Sequence, residues 1–156
     1  MKKRIAALFL AVMMILSTGA ALADYYRINT NWLKGHDKPS YTAKVLDSYR
    51  RDFAVSIAKR YGKGWAKVRV RPSGATIFVQ EKYLVRCKPY TAYIKSDKTP
   101  VMTGPARSFK VMGKLKKGTK VTVLTHGSAF DFCKTPRGKG YIRNTHPTRT
   151  KPKKKR

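Results

Sequence analysis

The residues that could carry acid–base or metal chemistry are few and scattered in this chain. There are seven acidic residues and three histidines, His36, His126 and His146, among 156 residues. Acid–base catalysis on a sugar needs two carboxylates that face one bond, but the acids fall mainly in or beside predicted turns and strand ends. The histidines lack metal-ligand spacing. We therefore expect no catalytic residues, no metal and no cofactor.

The two cysteines, Cys87 and Cys133, offer thiol chemistry. His126 lies seven residues before Cys133, so a thiolate–histidine pair is one interpretation. Cys133 falls on an inward-facing strand position, however, which favours a buried structural thiol. In an exported protein an even cysteine count also permits one disulfide, Cys87 to Cys133. One cysteine lies in a predicted hinge and the other in a predicted core strand, so the sequence leaves this pairing open.

Aromatic residues at loop edges and strand starts are the best candidates for a binding surface. Their flat rings offer apolar area to glycan rings or glycine-rich peptides, while neighbouring Lys and Arg can meet carboxylates and phosphates. Small barrels also need large residues to fill their cores, so many of these rings are expected to be buried. The predicted ligand-binding residues are Tyr41, Trp65, Phe109 and Phe130.

Positive charge dominates the composition, with 36 Lys and Arg against seven Asp and Glu and a net charge of +29. A field of this sign attracts polyanions such as teichoic acids, anionic membrane surfaces and, non-specifically, nucleic acid. The end of the chain, "RTKPKKKR", predicts a disordered polybasic tail over residues 149–156. The charges of this tail are Arg149, Lys151, Lys153, Lys154, Lys155 and Arg156.

Residues 1–23 have the layout of a secretory signal peptide. Basic residues at the start precede the apolar run "IAALFLAVMMIL", and the small-residue site "ALA" follows before Asp24. An apolar core of this length is short for a membrane-spanning helix of roughly 20 residues. We expect a secreted protein that starts at Asp24 and is associated with the cell wall.

The rest of the chain predicts an all-β fold. Short runs rich in β-branched and aromatic residues, such as "WAKVRVR", "TIFVQ" and "KVTVLTH", alternate with breaks such as "RPSG", "KKGT" and "PRGKG". Runs of about 4–8 residues bounded by turn formers indicate antiparallel strands. No segment after the signal keeps a helical period over three turns.

An internal repeat divides these strands into two sets. At a shift of 66 residues "KVLDSYRRDFAV" (44–55) lies over "KVMGKLKKGTKV" (110–121) without a gap. Small differences in loop length then bring Trp65 onto Phe130 and Val68 onto Cys133. A repeat of this period predicts two copies of one small domain, over residues 24–87 and 88–148.

The segment "VMTGPARSFKVMGKLKKGTKVTVL", followed by "FDFCKT" and "GKGYIRN", resembles the bacterial Src-homology-3-like domain. Residues 25–84 are similar but more divergent. The resemblance implies two small β-barrels of about five strands each, of a kind that typically binds peptidoglycan and often targets an attached hydrolase. We expect a non-enzymatic cell-envelope protein that binds peptidoglycan or teichoic-acid-like polyanions. The alternative is a polycationic adaptor or toxin-like factor that binds membranes or nucleic acid by charge alone; the oligomeric state stays open.

Overall fold

The computed structural model describes residues 24–153, in which the regular structure is strand apart from two single turns of 3₁₀ helix, Gly62–Gly64 and Glu81–Tyr83. The predicted signal peptide and the last three residues of the tail lie outside the described residues. The strands form two seven-stranded antiparallel sheets. The prediction of an all-β fold with two small barrel-like units is therefore confirmed.

The first sheet is built from residues 25–87. Its strands are β1 (Tyr25–Ile28), β2 (Trp32–His36), β3 (Val45–Arg50), β4 (Ala54–Arg60), β5 (Trp65–Val70), β6 (Thr76–Gln80) and β7 (Leu84–Cys87). Their order across the sheet is β3-β2-β6-β5-β4-β1-β7. Three neighbouring pairs, β2–β3, β4–β5 and β5–β6, are also consecutive in the chain, which suits antiparallel pairing.

The second sheet repeats this arrangement with residues 90–148. Its strands are β8 (Tyr90–Ile94), β9 (Thr99–Met102), β10 (Val111–Leu115), β11 (Lys120–Thr125), β12 (Phe130–Thr135), β13 (Gly138–Arg143) and β14 (Pro147–Thr148). Their order is β10-β9-β13-β12-β11-β8-β14. Each strand thus takes the place of the strand seven positions earlier, and the residues aligned by the repeat, Val68 and Cys133, are both fully buried.

Each sheet has seven strands rather than the expected five, because the runs of β-branched and aromatic residues do not reveal two strands of each sheet: β2 and β7 in the first, and β9 and β14 in the second. The sequence predicts a hinge at Cys87, but this residue ends β7, which pairs with β1 from Tyr25 opposite Cys87 to Ile28 opposite Leu84. In the second sheet, β14 contributes only two residues, which pair with β8.

The alternation of side chains along the strands gives each sheet its own apolar core. The first core includes Ile28, Val55, Val68, Val70 and Val79. The second core includes Ile94, Val101, Val121, Cys133 and Ile142.

A third apolar cluster joins the two sheets. Tyr25 and Ala54 of the first sheet lie in it with residues of the second, and Phe53 packs against it. The members from the second sheet are Met102, Leu124, Phe130, Phe132 and Tyr141. The two sheets therefore share a buried apolar contact.

Candidate functional site

An aromatic cavity of about 250 Å³ opens on the first sheet. Its floor is Trp65, the first residue of β5, which is only 4% exposed. On its rim stand Trp32, 64% exposed, and Tyr41, 66% exposed. Large apolar rings grouped on a surface mark interaction sites. We call this cavity the aromatic cup; it is lined by Trp32, His36, Tyr41, Trp65, Gln80 and Tyr83, among others.

His36 fastens the loop that carries Tyr41 over the cup. Its Nδ1 donates a hydrogen bond to the carbonyl oxygen of Ala43 at 3.0 Å, since a carbonyl can only accept. The imidazole also meets the Trp65 ring edge-on, with centroids 5.4 Å apart. Tyr41 meets Trp65 in a similar geometry at 5.0 Å. The rings therefore support one another in the edge-to-face arrangement that aromatic pairs favour.

The turn before β5 positions Trp65. Lys63 and Gly64 have φ angles of 59° and 75°, which is the left-handed conformation that reverses the chain tightly. Gln80 lies opposite Trp65 in the sheet register, and its side-chain amide donates to the carbonyl oxygen of Lys63 at 3.4 Å. The turn and the neighbouring strand β6 thus hold the floor of the cup.

A second depression, of about 500 Å³, lies where the two sheets meet and shares Trp32 with the cup. The Arg50 guanidinium is 5.7 Å from the centroid of the Trp32 ring. Arg51 donates to the side-chain oxygens of Asn29 and Asn31, at 3.2 and 3.3 Å. We call this depression the arginine groove, after Arg50, Arg51 and Arg107 in its lining.

The arginine groove is positively charged. Four ion pairs occur within residues 24–153, and none of them includes Arg50, Arg51 or Arg107. Asp52 also lines the groove, but it is 2% exposed and its carboxylate faces backbone N–H groups of the second sheet. These donors are Ser128 at 2.9 Å, Ala129 at 2.8 Å and Phe130 at 3.2 Å.

The four predicted ligand-binding residues divide into two pairs. Tyr41 and Trp65 lie together in the cup. Phe109 and Phe130 instead lie where the sheets meet: Phe109 packs edge-on against Phe53 at 5.7 Å, and Phe130 is 8% exposed. The turn at Asp52 and Phe53 packs over Phe130 and leaves Phe109 partly buried, a contact that no local sequence pattern predicts. Phe130 also lines the arginine groove, so a ligand-binding role for these two rings stays a prediction.

The sequence interpretation missed Trp32, His36 and the three arginines of the groove. The exposure of Trp32 could have been predicted from strand alternation. Its neighbour Leu33 points into the core and is buried, so Trp32 points to the opposite face. In the sequence, Arg50 and Arg51 stand out only as part of the overall positive charge. Their meeting with Arg107 depends on how the two sheets pack, which no local pattern encodes.

The two cysteines are free thiols, so the disulfide considered between them is not formed. Cys133 is fully buried in the second core and Cys87 is half-buried at the end of β7. Burial raises the pKa of both thiols, the opposite of the shift that activates a nucleophile. His126 pairs through Nδ1 with the buried Asp131 carboxylate at 2.9 Å.

The first residues of the polybasic segment contact the second sheet. The Arg149 guanidinium stacks over the Tyr90 ring at 4.2 Å, and Lys151 and Lys153 line a cleft with Asp97. Lys154, Lys155 and Arg156 lie outside the described residues. Within residues 24–153 no helix has the length and apolarity needed to cross a membrane, and no group of three potential metal ligands occurs in that part.

No protein-family model and no curated protein matches the chain. Among solved structures it is similar to NlpC2 from Trichomonas vaginalis, with 17% identity and a TM-score of 0.40, over 81% of this chain and 48% of that one. NlpC1 from the same organism has 16% identity and a TM-score of 0.37, over 81% and 46%. An NlpC/P60 family protein from Bacillus cereus has 14% and 0.36, over 80% and 55%. The chain spans about half the length of these proteins.

Proposed function

We propose that this chain is a secreted, non-enzymatic protein that binds peptidoglycan through the aromatic cup. The observation that carries the proposal is the exposure of Trp32 and Tyr41 above the buried ring of Trp65. Nothing in the fold of the first sheet requires two large rings in water, whereas a ligand would cover both. The resemblance to bacterial Src-homology-3-like domains agrees with this role.

The cup has the chemistry of a site for a sugar ring or a short peptide. Aromatic faces and edges offer flat apolar contact, and Gln80 and Lys34 in the lining supply hydrogen-bond donors at the edges of that contact. The ligand therefore has a compact, partly apolar face with polar groups around it, as saccharide rings and glycine-containing cross-bridges have. Wall-associated polyanions such as teichoic acids would be attracted by the net charge of +29.

A second candidate is a charge-driven adaptor that binds polyanions, including anionic membranes, without a shaped site. The arginine groove favours this candidate, because none of its three guanidiniums has a carboxylate partner within residues 24–153 and such cations bind anions of many kinds. Such binding weakens steeply as salt increases. Binding through the cup retains a fraction that salt does not remove.

The deciding experiment measures co-sedimentation with purified peptidoglycan, with and without its teichoic acids, at low salt and at ~0.5 M salt, where exposed charges are largely screened. Trp32→Ala and Tyr41→Ala each reduce the salt-resistant binding tenfold or more, since truncating an anchor ring commonly costs ~2 kcal/mol. Both residues are exposed, so neither substitution opens a cavity in the core.

Met112→Ala is the matched control, because Met112 is also an exposed apolar residue, 41% exposed on β10 of the second sheet, and it does not line the cup. It leaves binding unchanged. If binding vanishes at ~0.5 M salt, or if both cup variants bind as well as wild type, the shaped site is wrong and the charge-driven adaptor replaces it.

A further inference from the structure

The arginine groove is a second depression, distinct from the cup, that neither sheet could form alone. Arg50 and Arg51 come from the end of β3 and the turn after it, and Arg107 comes from the loop between β9 and β10 of the second sheet. The interdomain contact through Asp52 brings these two segments together. The groove is therefore a product of the paired arrangement.

The repeat shows what the second sheet contributes. In the repeat alignment Arg107 takes the place of Tyr41 and Phe130 takes the place of Trp65. Where the first sheet has a ring at the rim of an open cup, the second sheet has a guanidinium at the rim of a position covered by Asp52. The two repeats thus supply unlike halves of one surface rather than two equal sites.

The arginines of the groove are prepared for an anion. Arg51 is held by the side chains of Asn29 and Asn31, and Arg50 lies against Trp32, so their freedom is already reduced before a ligand arrives. Guanidinium groups pair with carboxylates in a planar, two-bonded geometry. None of the three arginines has such a partner within residues 24–153.

We infer that the arginine groove binds a carboxylate of the same ligand whose ring or peptide occupies the cup, so that the preferred ligand is an acidic glycopeptide. Trp32 lines both depressions, which allows one ligand to cross it and contact each. The inference rests on the proposed function and adds the carboxylate to it, since the peptide stems of peptidoglycan are acidic.

The test uses soluble disaccharide-peptides released from purified peptidoglycan by a muramidase, in native form and after carbodiimide amidation of their carboxylates. Titration calorimetry at moderate salt measures binding to the full chain. We expect the native form to bind about tenfold more tightly, because it alone can form charge-assisted hydrogen bonds with the guanidiniums of the groove. This comparison needs no protein variant.

Arg50→Gln combined with Arg107→Gln abolishes the preference for the native form. The readout is the ratio of the two affinities, because Arg50 also contacts Trp32 at the rim of the cup and its loss affects both fragments alike. Lys114→Gln combined with Lys116→Gln removes the same charge from an exposed part of the second sheet, and it keeps the preference. An arginine variant that still prefers the native form contradicts the groove assignment.

The other outcomes separate the two ideas. If wild type binds both fragments equally, the carboxylate site is wrong and the cup still stands. If wild type binds neither fragment, the proposed function itself is wrong. If the arginine variant loses affinity for polyglycerol phosphate while the two fragments bind wild type alike, the groove recognises phosphate and the carboxylate inference is overturned.

Discussion

The hydroxyl group of Tyr141 links the two sheets at the scale of a single residue. The side chain is fully buried, its hydroxyl donates to the carbonyl oxygen of Arg71 at 2.7 Å and it accepts from the N–H of Ala54 at 2.8 Å. Burial raises the pKa of this phenol, so the proton needed for donation stays in place. Two backbone groups of the first sheet thus depend on one side chain of the second.

Tyr141→Phe therefore destabilises the protein by about 1–3 kcal/mol, because the N–H of Ala54 and the carbonyl of Arg71 lose a partner in a buried place. Urea unfolding followed by tryptophan fluorescence measures the change. Tyr93→Phe is the matched control: Tyr93 is half-buried in β8 and its hydroxyl makes no hydrogen bond within residues 24–153. Equal stability of the two variants would show that the Tyr141 hydroxyl contributes nothing net.

Asp52 also links the two sheets, through its carboxylate and its backbone conformation. Its φ of 71° places it in the left-handed region, which Asp tolerates better than most residues. In that conformation its carboxylate faces the turn at Ser128, where the hydroxyl also donates to it at 3.0 Å. Gly127 has to be glycine here, because a Cβ would lie 2.5 Å from the Asp52 side chain.

At the scale of elements, the turn between β3 and β4 decides what the second sheet can do. Phe53 lies edge-on to both Phe109 and Tyr141, with centroids 5.7 and 5.8 Å apart. This turn covers the position of Phe130, which is the counterpart of the cup floor at Trp65. An array of two equal sites that gains affinity by avidity therefore does not fit this arrangement, and one composite surface does.

The strands could largely be predicted from the sequence, but the binding surface could not. Alternation along runs such as "KVTVLT" and turns with glycine specified strands, and the repeat predicted that Val68 and Cys133 would be buried alike. Phe130 and Phe109 look like binding residues for the same reason that Tyr41 does, since each is a ring at a strand or loop edge. Only the packing of one sheet on the other distinguishes the buried ring of Phe130 and the partly buried ring of Phe109 from the exposed ring of Tyr41.

We expect the shared cluster to make the two sheets stabilise each other. A fragment of residues 88–156 exposes Phe130, Phe132 and Tyr141, so it unfolds at a lower urea concentration than the full chain and binds a hydrophobic dye. The fragment of residues 24–87 loses less stability, because only Tyr25, Phe53 and Ala54 become exposed. Circular dichroism and dye fluorescence on both fragments, beside the full chain, provide the measurement.

The full chain is expected to unfold in one cooperative transition, since the cluster couples the two cores. Two separate transitions whose midpoints match those of the isolated fragments would contradict this coupling. In that case the arginine groove would also lack the fixed geometry on which the carboxylate inference depends, although the cup on the first sheet would be unaffected.

At the scale of the whole molecule, most acidic side chains already have a hydrogen-bond or ion-pair partner, and the excess of positive charge is not neutralised. Six of the seven acidic residues accept a hydrogen bond or form an ion pair within residues 24–153, namely Asp24, Asp47, Asp52, Glu81, Asp97 and Asp131. The 36 basic residues therefore have little internal compensation. Long-range attraction to an anionic surface is expected of such a molecule, while the shaped sites choose what is bound there.

Removing the tail measures how much of that electrostatic attraction comes from the end of the chain. Arg149 stacks on Tyr90, so a deletion that starts at residue 150 removes Lys151, Lys153, Lys154, Lys155 and Arg156 without disturbing this contact. Each basic residue near an anionic surface is worth ~1 kcal/mol, so we expect binding to anionic vesicles or teichoic-acid-bearing walls to weaken at least tenfold at low salt. The unfolding midpoint stays unchanged.

Changing the same five residues to Gln keeps the length of the tail and separates charge from chain. If charge is the cause, the Gln variant and the deletion bind alike, and both approach wild type at ~0.5 M salt, where the Debye length falls well below 10 Å. Zwitterionic vesicles give the baseline, to which none of the three proteins binds appreciably. A deletion that binds as well as wild type at low salt would remove the tail from the mechanism, and the attraction would then reside in the folded part, where the arginines of the groove lie.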